Sequence, residues 1–261
     1  MNSPSQCVIL AGGLGTRMRP QTDRVPKTLL PVGGTPFAHY QLSWLARHGA
    51  TEVVYCIGHL GDRVRAFVGD GARWGVTVRY VEDGDTLVGT GGALRQALDF
   101  GLLRDEFLLL YGDSFLPFDF RLLANARAEQ WRPAMMAVYR NRGKYQLGNV
   151  RYANGLVQFY QKARGDGPAA EMPYVDYGIS ALRADLVAEK IPARATCDLA
   201  DVFHRLSLEG RLAGYEVYER FYEIGSPAGL ADFTEWVAGH ADDSWIRTDR
   251  LAATTHSMIG C

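Results

Sequence analysis

The sequence has few of the features that mark secreted, membrane-bound or nucleic-acid-binding proteins. Its 28 Lys and Arg residues are balanced by 29 Asp and Glu residues, so the net charge is −1 and no long-range field attracts nucleic acid or an anionic membrane. No apolar run approaches the length that spans a bilayer, and the segment MNSPSQC lacks the basic-then-apolar order of a signal peptide. We therefore expect a cytoplasmic protein whose partners include neither a membrane nor a nucleic-acid polymer.

Cysteine and histidine lack the spacing that disulfide or metal chemistry needs. The four cysteines are scattered without a C-x-x-C pair, and two of them lie in strand-like runs. We interpret all four as reduced thiols. The histidines show no metal-ligand spacing, and no Ser-His-Asp order predicts acyl transfer. The sequence also has no internal repeat, coiled-coil heptad or low-complexity tract.

The chain does have the composition of an ordinary globular protein. With 47% apolar and 22% charged residues in 261 positions, it can bury a substantial core, and α/β chains of this length commonly form one unit. We expect a single domain over 1–261, with a first half at 1–140, a second half at 141–239 and a tail at 240–261 that has no clear period.

Short β-rich runs alternate with helical patterns through the first half. A helical pattern follows each of CVILA, EVVYCI, VTVRYV and EFLLLY, which is typical of a Rossmann-like α/β fold with a predominantly parallel sheet and helices on both faces. After AMMAVYR, the runs GLVQFYQKA and YVDYGISAL predict a smaller antiparallel part. Ligands bind beyond the carboxyl ends of the strands in such sheets, so we expect the site there.

Two helices have clear boundary signals. Thr35 is predicted to cap the first helix, with Pro36 at its first position and Gly49 at its end. Ser226 is predicted to cap the last helix, with Pro227 at its first position.

A glycine-rich loop directly follows the first predicted strand, in the stretch VILAGGLGTRMRPQTDRVPKTLLPV at 8–32. A Walker loop counted from Gly12 has Arg17 where its second glycine is required. A dinucleotide fingerprint read from Gly13 has Met18 where Gly or Ala is required. Neither motif is present.

The residues that remain suit a phosphate-binding loop. Three glycines leave the backbone N–H groups free to turn towards an anion, and Thr16 supplies a hydroxyl. Arg17 adds a planar guanidinium group that can bind two phosphate oxygens at once. Lys27 adds a single positive charge and follows a proline, which restricts the backbone before it. A triphosphate fits this set. The alternative is a plain glycine turn with two solvated cations.

The segments LAGGLGTRMRPQT and PKTLLPVGGTP together resemble the signature of the sugar-1-phosphate nucleotidyltransferase family, GG-x-GTRL-x-P-x-T followed by PKPLLPV. Met18 stands in place of Leu and Thr28 in place of the second Pro. The likeness extends from Val8 to about Ala238. It implies the nucleotide-diphospho-sugar transferase fold, in which the first half binds nucleotide and the second half binds sugar.

The resemblance implies roles for the loop and its cations. Arg17 and Lys27 are expected to neutralise charge on the α-phosphate and on the departing pyrophosphate, as catalytic residues together with Asp113. The segment LVGTGGAL resembles the family's LGTGGAI, which makes Gly89 and Thr90 expected base contacts; the alternative is a helix start that Thr90 only caps. The implied nucleotide-binding residues are Leu10, Ala11, Gly12, Gly13, Gly15, Thr16, Arg17, Lys27, Gly89 and Thr90.

Two carboxylates are implied to bind Mg²⁺, the expected cofactor. Asp113 in FLLLYGDS matches the family's GD motif, and Glu223 in FYEIGSP stands where many members have Asp. The longer glutamate can still bind Mg²⁺ directly or through water. The alternatives are that Asp113 only orders the next turn and that Glu223 is a solvated strand residue.

Four residues are implied to bind the sugar phosphate. Lys162 in FYQKA matches the lysine of the family's F-x-E-K-P element, whereas Gln161 replaces its acid. Asp176 and Gly178 of YVDYGISAL match the element that lines the sugar pocket, and Gly148 of QLGNV is expected to contribute its backbone. Each of these residues has a plain alternative as part of a strand or turn.

The resemblance therefore implies Mg-dependent transfer of a nucleoside monophosphate from an NTP to a sugar 1-phosphate. The compact members that make GDP-heptose are the favoured comparison; a UTP-dependent N-acetylmuramate or hexose 1-phosphate uridylyltransferase is the alternative. Because Gln161 and Glu223 replace two family acids, a catalytically silent nucleotide-sugar-binding regulator is the candidate from another class. A homo-oligomer is left open, and the loops at 140–148 and 164–174 are candidates for a lid or an interface.

Overall fold

A computed structural model of the chain, which describes residues 6–84, 86–141, 144–145, 147–162 and 172–240, has a nine-stranded mixed β-sheet at its centre. The strands are β1 (Gln6–Ala11), β2 (Pro31–Val32), β3 (Thr35–Pro36), β4 (Glu52–Ile57), β5 (Thr77–Glu82), β6 (Glu106–Tyr111), β7 (Ser114–Phe115), β8 (Ala134–Arg140), β9 (Val150–Ala153), β10 (Leu156–Tyr160), β11 (Tyr174–Arg183), β12 (Leu212–Val217) and β13 (Tyr222–Glu223). The sheet has the order β5-β4-β1-β6-β11-β8-β12-β10-β9, and the pairs β2-β3 and β7-β13 lie outside it.

Helices connect the strands and cover the sheet. They are α1 (Phe37–Arg47), α2 (Gly61–Val68), α3 (Gly89–Asp99), α4 (Phe120–Ala128), α5 (Ala184–Lys190), α6 (Leu199–Leu208) and α7 (Pro227–Gly239). Short 3₁₀ turns lie at Thr16–Met18, Gln21–Asp23, Lys27–Leu29 and Ala72–Trp74.

Strand β1 shows why both faces of the sheet are covered. Cys7 and Ile9 belong to one buried cluster, which includes residues of α1, whereas Val8 and Leu10 belong to another, which includes residues of α3. Successive side chains of a strand point to opposite faces, so a continuous apolar run requires a helix layer on each side.

The sheet combines parallel and antiparallel pairings. Strand β1 pairs in parallel with β4 and β6, and β4 pairs in parallel with β5. Strand β11 then runs antiparallel between β6 and β8, and β12 is parallel to β8. The predicted α/β class is confirmed, and the antiparallel strands of the second half continue the same sheet.

The two predicted helix starts have different outcomes. The Ser226 hydroxyl accepts a hydrogen bond from the Gly229 N–H at 3.1 Å, and α7 begins at Pro227 as predicted. The Thr35 cap is wrong: α1 begins at Phe37 without a side-chain cap. Thr35 instead pairs with Val32 in the β2-β3 hairpin, which commits its backbone to a strand.

Aromatic packing fixes the position of α7. Phe233 lies against Phe37 of α1 and Phe115 of β7, with ring centroids 5.4 Å and 4.8 Å apart. Strand β13, which precedes α7, pairs with β7 so that Glu223 lies opposite Ser114. The helix therefore holds the Glu223 backbone beside the turn that follows β6.

The predicted tail at 240–261 lies outside the described residues except for His240, as do parts of the two predicted loops. In the part of the chain that the structure describes, no helix combines the length and apolarity needed to cross a membrane.

Candidate active site

A cavity of about 250 Å³ lies at the carboxyl edge of the parallel strands, where the fold class predicts a ligand. It is lined by Leu10, Ala11, Gly12, Gly13, Gly15, Lys27, Thr28, Cys56, Asp83, Leu87, Gly89, Thr90, Ala93, Tyr111, Gly112 and Asp113. The ends of β1, β4 and β6, the glycine loop and the start of α3 therefore enclose one space. Most of the predicted nucleotide-binding residues border it.

The glycine loop depends on a left-handed turn at Gly15. This residue has φ +62°, and a Cβ there would lie 2.9 Å from Cγ2 of Thr22. The Thr22 hydroxyl donates to the Gly15 carbonyl at 2.9 Å, and the Met18 N–H donates to the same oxygen at 2.9 Å. Because a side chain is strained at positive φ and crowded here, glycine sets the shape of this loop.

Arg17 and Lys27 both lie beside Gly225. A Cβ added to Gly225 would be 3.0 Å from an Arg17 guanidinium nitrogen and 3.2 Å from Lys27 Nζ, so both cations flank this glycine. Lys27 also forms an ion pair with Asp113. Arg17 is exposed and, like Thr16, is not among the residues that line the cavity.

The two predicted metal ligands are neighbours. The Ile224 N–H donates to the Asp113 carbonyl at 2.9 Å, and Glu223 precedes it in β13. Burial raises the pKa of the Glu223 carboxyl, Asp113 raises it further, and Lys27 and Arg17 lower it. Glu223 therefore lies within electrostatic reach of Asp113 and of both cations.

This donor set fits Mg²⁺. The ion usually binds proteins through one or two carboxylates and completes its shell with water and substrate phosphates. Asp113 and Glu223 supply two carboxylates, and among the described residues no group of three or more His, Cys, Asp or Glu forms a closed cage. Phosphate oxygens and water would have to supply the remaining ligands.

The predicted base-contact residues pack against a segment that sequence reasoning did not connect to them. Gly89 has φ +76°, and a Cβ there would lie 2.5 Å from the Cys197 carbonyl oxygen. The Thr90 hydroxyl donates to Asp198 Oδ1 at 3.1 Å and accepts from the Leu199 N–H at 2.8 Å. The Thr90 side chain therefore already has protein partners.

The four predicted sugar-phosphate residues do not line the cavity itself. Lys162 follows β10 and forms an ion pair with Asp198. Asp176 accepts a hydrogen bond from the Gly178 N–H at 2.9 Å. Gly148 lies so close to the Met172 carbonyl oxygen that a Cβ would be 1.6 Å from it.

The Asp176 carboxyl has an unusual environment. Its pKa is raised to about 7, chiefly by burial; the hydrogen bond from the Gly178 N–H acts to lower it, and the nearby Glu223 carboxyl acts to raise it. The influence of Glu223 indicates that this predicted sugar-side residue is near the predicted metal ligands.

Several residues that the structure brings to the site are not among the predicted site residues. Asp83 and Cys56 line the cavity beside the ends of β5 and β4, and Tyr111 ends β6. The rule that ligands bind beyond the carboxyl ends of strands is the signal that could have found them. Asp198 lies 108 positions from Thr90, and no local pattern indicates that contact.

Comparisons with known proteins show which proteins the chain resembles. An N-acetylmuramate alpha-1-phosphate uridylyltransferase of Neisseria meningitidis serogroup B is 38% identical over 115 residues, 44% of this chain and 49% of that protein. A D-glycero-alpha-D-manno-heptose 1-phosphate guanylyltransferase of Campylobacter jejuni is 31% identical over 114 residues, 44% of this chain and 50% of that protein. The matches cover between 30% and 49% of the length of the first curated relatives.

The fold and the family follow from two further matches. The crystal structure of HddC from Yersinia pseudotuberculosis superposes with a TM-score of 0.73 at 18% identity, covering 88% of this chain and 98% of that one, which shows a shared fold. A family model described as Nucleotidyl transferase matches residues 6–224. The chain therefore belongs to the nucleotidyl transferase family.

Proposed function

We propose that the protein transfers a nucleoside monophosphate from an NTP to a sugar 1-phosphate, giving an NDP-sugar and pyrophosphate. The observation that carries the proposal is the meeting of the glycine loop, the cations Arg17 and Lys27, and the carboxylates Asp113 and Glu223 at one edge of the sheet. The family match and the activities named for the two relatives above support the same reaction.

The chemistry needs orientation and charge neutralisation. A phosphate oxygen of the sugar 1-phosphate attacks the α-phosphorus, a new P–O bond forms, and the bond to the bridging oxygen of pyrophosphate breaks. Arg17 and Lys27 would hold the negative charge that accumulates on the phosphates. Backbone N–H groups of Gly12 and Gly13 would hold the triphosphate in line for attack.

Mg²⁺ held by Asp113 and Glu223 would neutralise phosphate charge when bound. Lys162 would bind the phosphate of the incoming sugar, and Asp176, Gly178 and the Gly148 backbone would border the sugar. No group of the protein is required as a covalent nucleophile.

Asp83 favours guanine as the nucleobase. Its side chain lines the cavity, only 8% of the residue is exposed, and its Oδ1 has no hydrogen-bond partner among the described residues. An ionised carboxylate only accepts hydrogen bonds. Guanine presents two adjacent donors on its Watson–Crick edge, whereas uracil presents one donor between two carbonyl oxygens, which a carboxylate repels. GTP is therefore the proposed nucleotide.

A heptose 1-phosphate is the proposed sugar substrate, by analogy with the Campylobacter jejuni relative. An N-acetylmuramate 1-phosphate is the alternative offered by the Neisseria meningitidis relative. The cavity residues do not favour one sugar over the other, so the sugar must be tested directly.

The test is pyrophosphate release with Mg²⁺, using each of GTP, UTP, CTP, ATP and dTTP against heptose, hexose and amino-sugar 1-phosphates. We expect release with GTP, and a loss of at least ~100-fold in Lys27→Met and Asp113→Asn. Lys190→Met is the matched control because Lys190 pairs with Glu209 in another part of the protein. Nucleotide binding by calorimetry without release from any pair would contradict the proposal and favour a silent binding protein.

A further inference from the structure

Asp198 connects the two substrate sides of the proposed site. Its Oδ2 forms an ion pair with Lys162, which follows β10 in the second half of the chain. Its Oδ1 accepts from the Thr90 hydroxyl at 3.1 Å, and Thr90 lies in the first turn of α3 and lines the cavity. One carboxylate therefore binds a predicted sugar-phosphate residue and a predicted nucleotide residue.

The segment that carries Asp198 is fixed to the cavity wall by main-chain hydrogen bonds. The Cys197 N–H donates to the Val88 carbonyl at 2.9 Å, and the Gly91 N–H donates to the Cys197 carbonyl at 2.9 Å. The Leu199 N–H donates to the Thr90 hydroxyl at 2.8 Å. Asp198 therefore moves with the start of α3 and provides a rigid anchor.

The position of the Lys162 ammonium group depends on its ion pair with Asp198. Its side chain is 63% exposed, and a lysine ammonium on a flexible four-carbon stem samples many positions in water. Burial works to raise the pKa of the Asp198 carboxyl, but hydrogen bonds from Lys162, the Ala200 N–H and Thr90 lower it overall. The carboxylate is thus kept in the form that can bind the ammonium.

We propose that Asp198 is a positioning residue that holds the Lys162 ammonium beside the cavity, ready to receive the phosphate of the acceptor substrate. This inference rests on the proposed function. A lysine has three N–H donors, so one can stay on Asp198 while the others bind phosphate. Because the side chain is already ordered, less conformational entropy is lost when the acceptor binds.

Asp198→Asn tests the proposal without removing the helix cap. Asp198 also caps α6 by accepting from the Ala200 N–H, and Asn caps helices as well as Asp does. The amide would keep an oxygen for Ala200 and Thr90 but would turn an NH₂ group towards Lys162, where two donors repel. We expect the KM for the sugar 1-phosphate to rise at least ~5-fold, with kcat and the KM for the NTP within ~2-fold of wild type.

Asp119→Asn is the matched control. Asp119 caps α4 by accepting from the Arg121 N–H, and its carboxylate pairs with Arg121, so it has the same combination of cap and ion pair outside the cavity. We expect its kinetic constants to match those of wild type. Equal loss of kcat for both variants, or an unchanged acceptor KM in Asp198→Asn, would show that Asp198 is only a helix cap.

A double-mutant cycle asks whether Asp198 acts through Lys162. In a Lys162→Met background, Asp198→Asn should change the acceptor KM by less than ~2-fold, because the positioned group is gone. The same increase in both backgrounds would overturn the proposal.

One readout does not depend on turnover. The rate of Lys162 acetylation by acetic anhydride, followed by mass spectrometry, should rise at least ~3-fold in Asp198→Asn, because pairing with Asp198 withholds the amine from the reagent. It should not change in Asp119→Asn. If the wild-type protein released no pyrophosphate, the proposed function would be rejected. If Lys162 were acetylated at the same rate in Asp198→Asn as in wild type, the role of Asp198 would be rejected.

Discussion

At the scale of single residues, neighbouring acids at the end of β5 have opposite environments. Asp83 is buried beside Gly12 and Gly58, and a Cβ on Gly12 would lie 2.9 Å from its Oδ2. Glu82 is exposed and forms an ion pair with Arg65. Strand alternation thus directs one carboxylate into the cavity and the next towards solvent.

Asp83→Asn should change the base preference. An amide offers a donor NH₂ group beside an acceptor oxygen, which matches the adjacent donor and acceptor of uracil better than the two adjacent donors of guanine. We expect kcat/KM for GTP to fall at least ~10-fold and the ratio of UTP to GTP turnover to rise. Glu82→Gln, the matched control, should keep the wild-type preference. An unchanged ratio in Asp83→Asn would exclude a role for Asp83 in base selection.

Asp176 should make stability depend on pH. Its ordinary pKa near 3.8 is raised to about 7 in the folded protein, so between these values the native state binds a proton that the unfolded state releases. The free energy of unfolding should therefore fall as the pH rises from about 4 to about 7. Urea unfolding with EDTA at pH 5 and pH 8 measures this.

Asp176→Asn should lose less stability across the same interval, because its amide does not titrate and keeps an acceptor for the Gly178 N–H. Asp99→Asn, which changes an exposed pair with Arg95, is the control and should follow wild type. Parallel pH profiles for Asp176→Asn and wild type would contradict the assignment.

At the scale of elements, α7 depends on its N-terminal cap. Ser226→Ala removes the acceptor for the Gly229 N–H and should lower the free energy of unfolding by ~1 kcal/mol. Ser226→Thr keeps a hydroxyl and should retain most of this stability. Urea unfolding of both variants gives the comparison, and equal stability would show that the cap contributes nothing to α7.

Local signals predicted elements well where neighbours in sequence supply the contacts. The strands, the Ser226 cap and the glycine loop that follows β1 could be predicted from the sequence. Hydrophobic periodicity, helix capping and turn formation each depend on a few neighbouring residues. Thr35 misled the prediction because its pairing with Val32 outweighs its capping preference. The contact between Asp198 and Thr90 could not be predicted from the sequence, because α6 and α3 come together only in the folded protein.

The roles of the individual site residues remain predictions that the variants above must decide. Sequence placed the glycine loop and Asp113 at strand ends, and the structure gives their distances and partners. The sequence could not give the position of Glu223, because β13 pairs with β7 across a long separation in the chain, and the packing of Phe233 against Phe115 supports that pairing.

At the scale of the whole molecule, we propose that the two halves unfold as one unit. Strand β11 of the second half lies between β6 and β8, which both belong to the first half, and Leu182 lies opposite both Phe107 and Ala134. Leu182 is only 2% exposed, so Leu182→Ala should lower the free energy of unfolding by ~3 kcal/mol.

Tryptophan fluorescence and far-UV circular dichroism should then shift together in urea, as expected for one cooperative transition. Leu122→Ala removes a half-exposed side chain and should cost less than ~0.5 kcal/mol. Two separate transitions, with only one of them moved by Leu182→Ala, would show that the halves are independent domains.

The position of β11 also has a consequence for synthesis on the ribosome. Strand β6 ends at Tyr111, but the strand that covers its free edge begins only at Tyr174. While the intervening chain is being made, β6 exposes an unpaired edge, and such edges promote association with other nascent chains. The strands β1, β4, β5 and β6 are therefore made early, but the edge of β6 stays unpaired until β11 has been made, so a chaperone would protect the nascent chain during this interval.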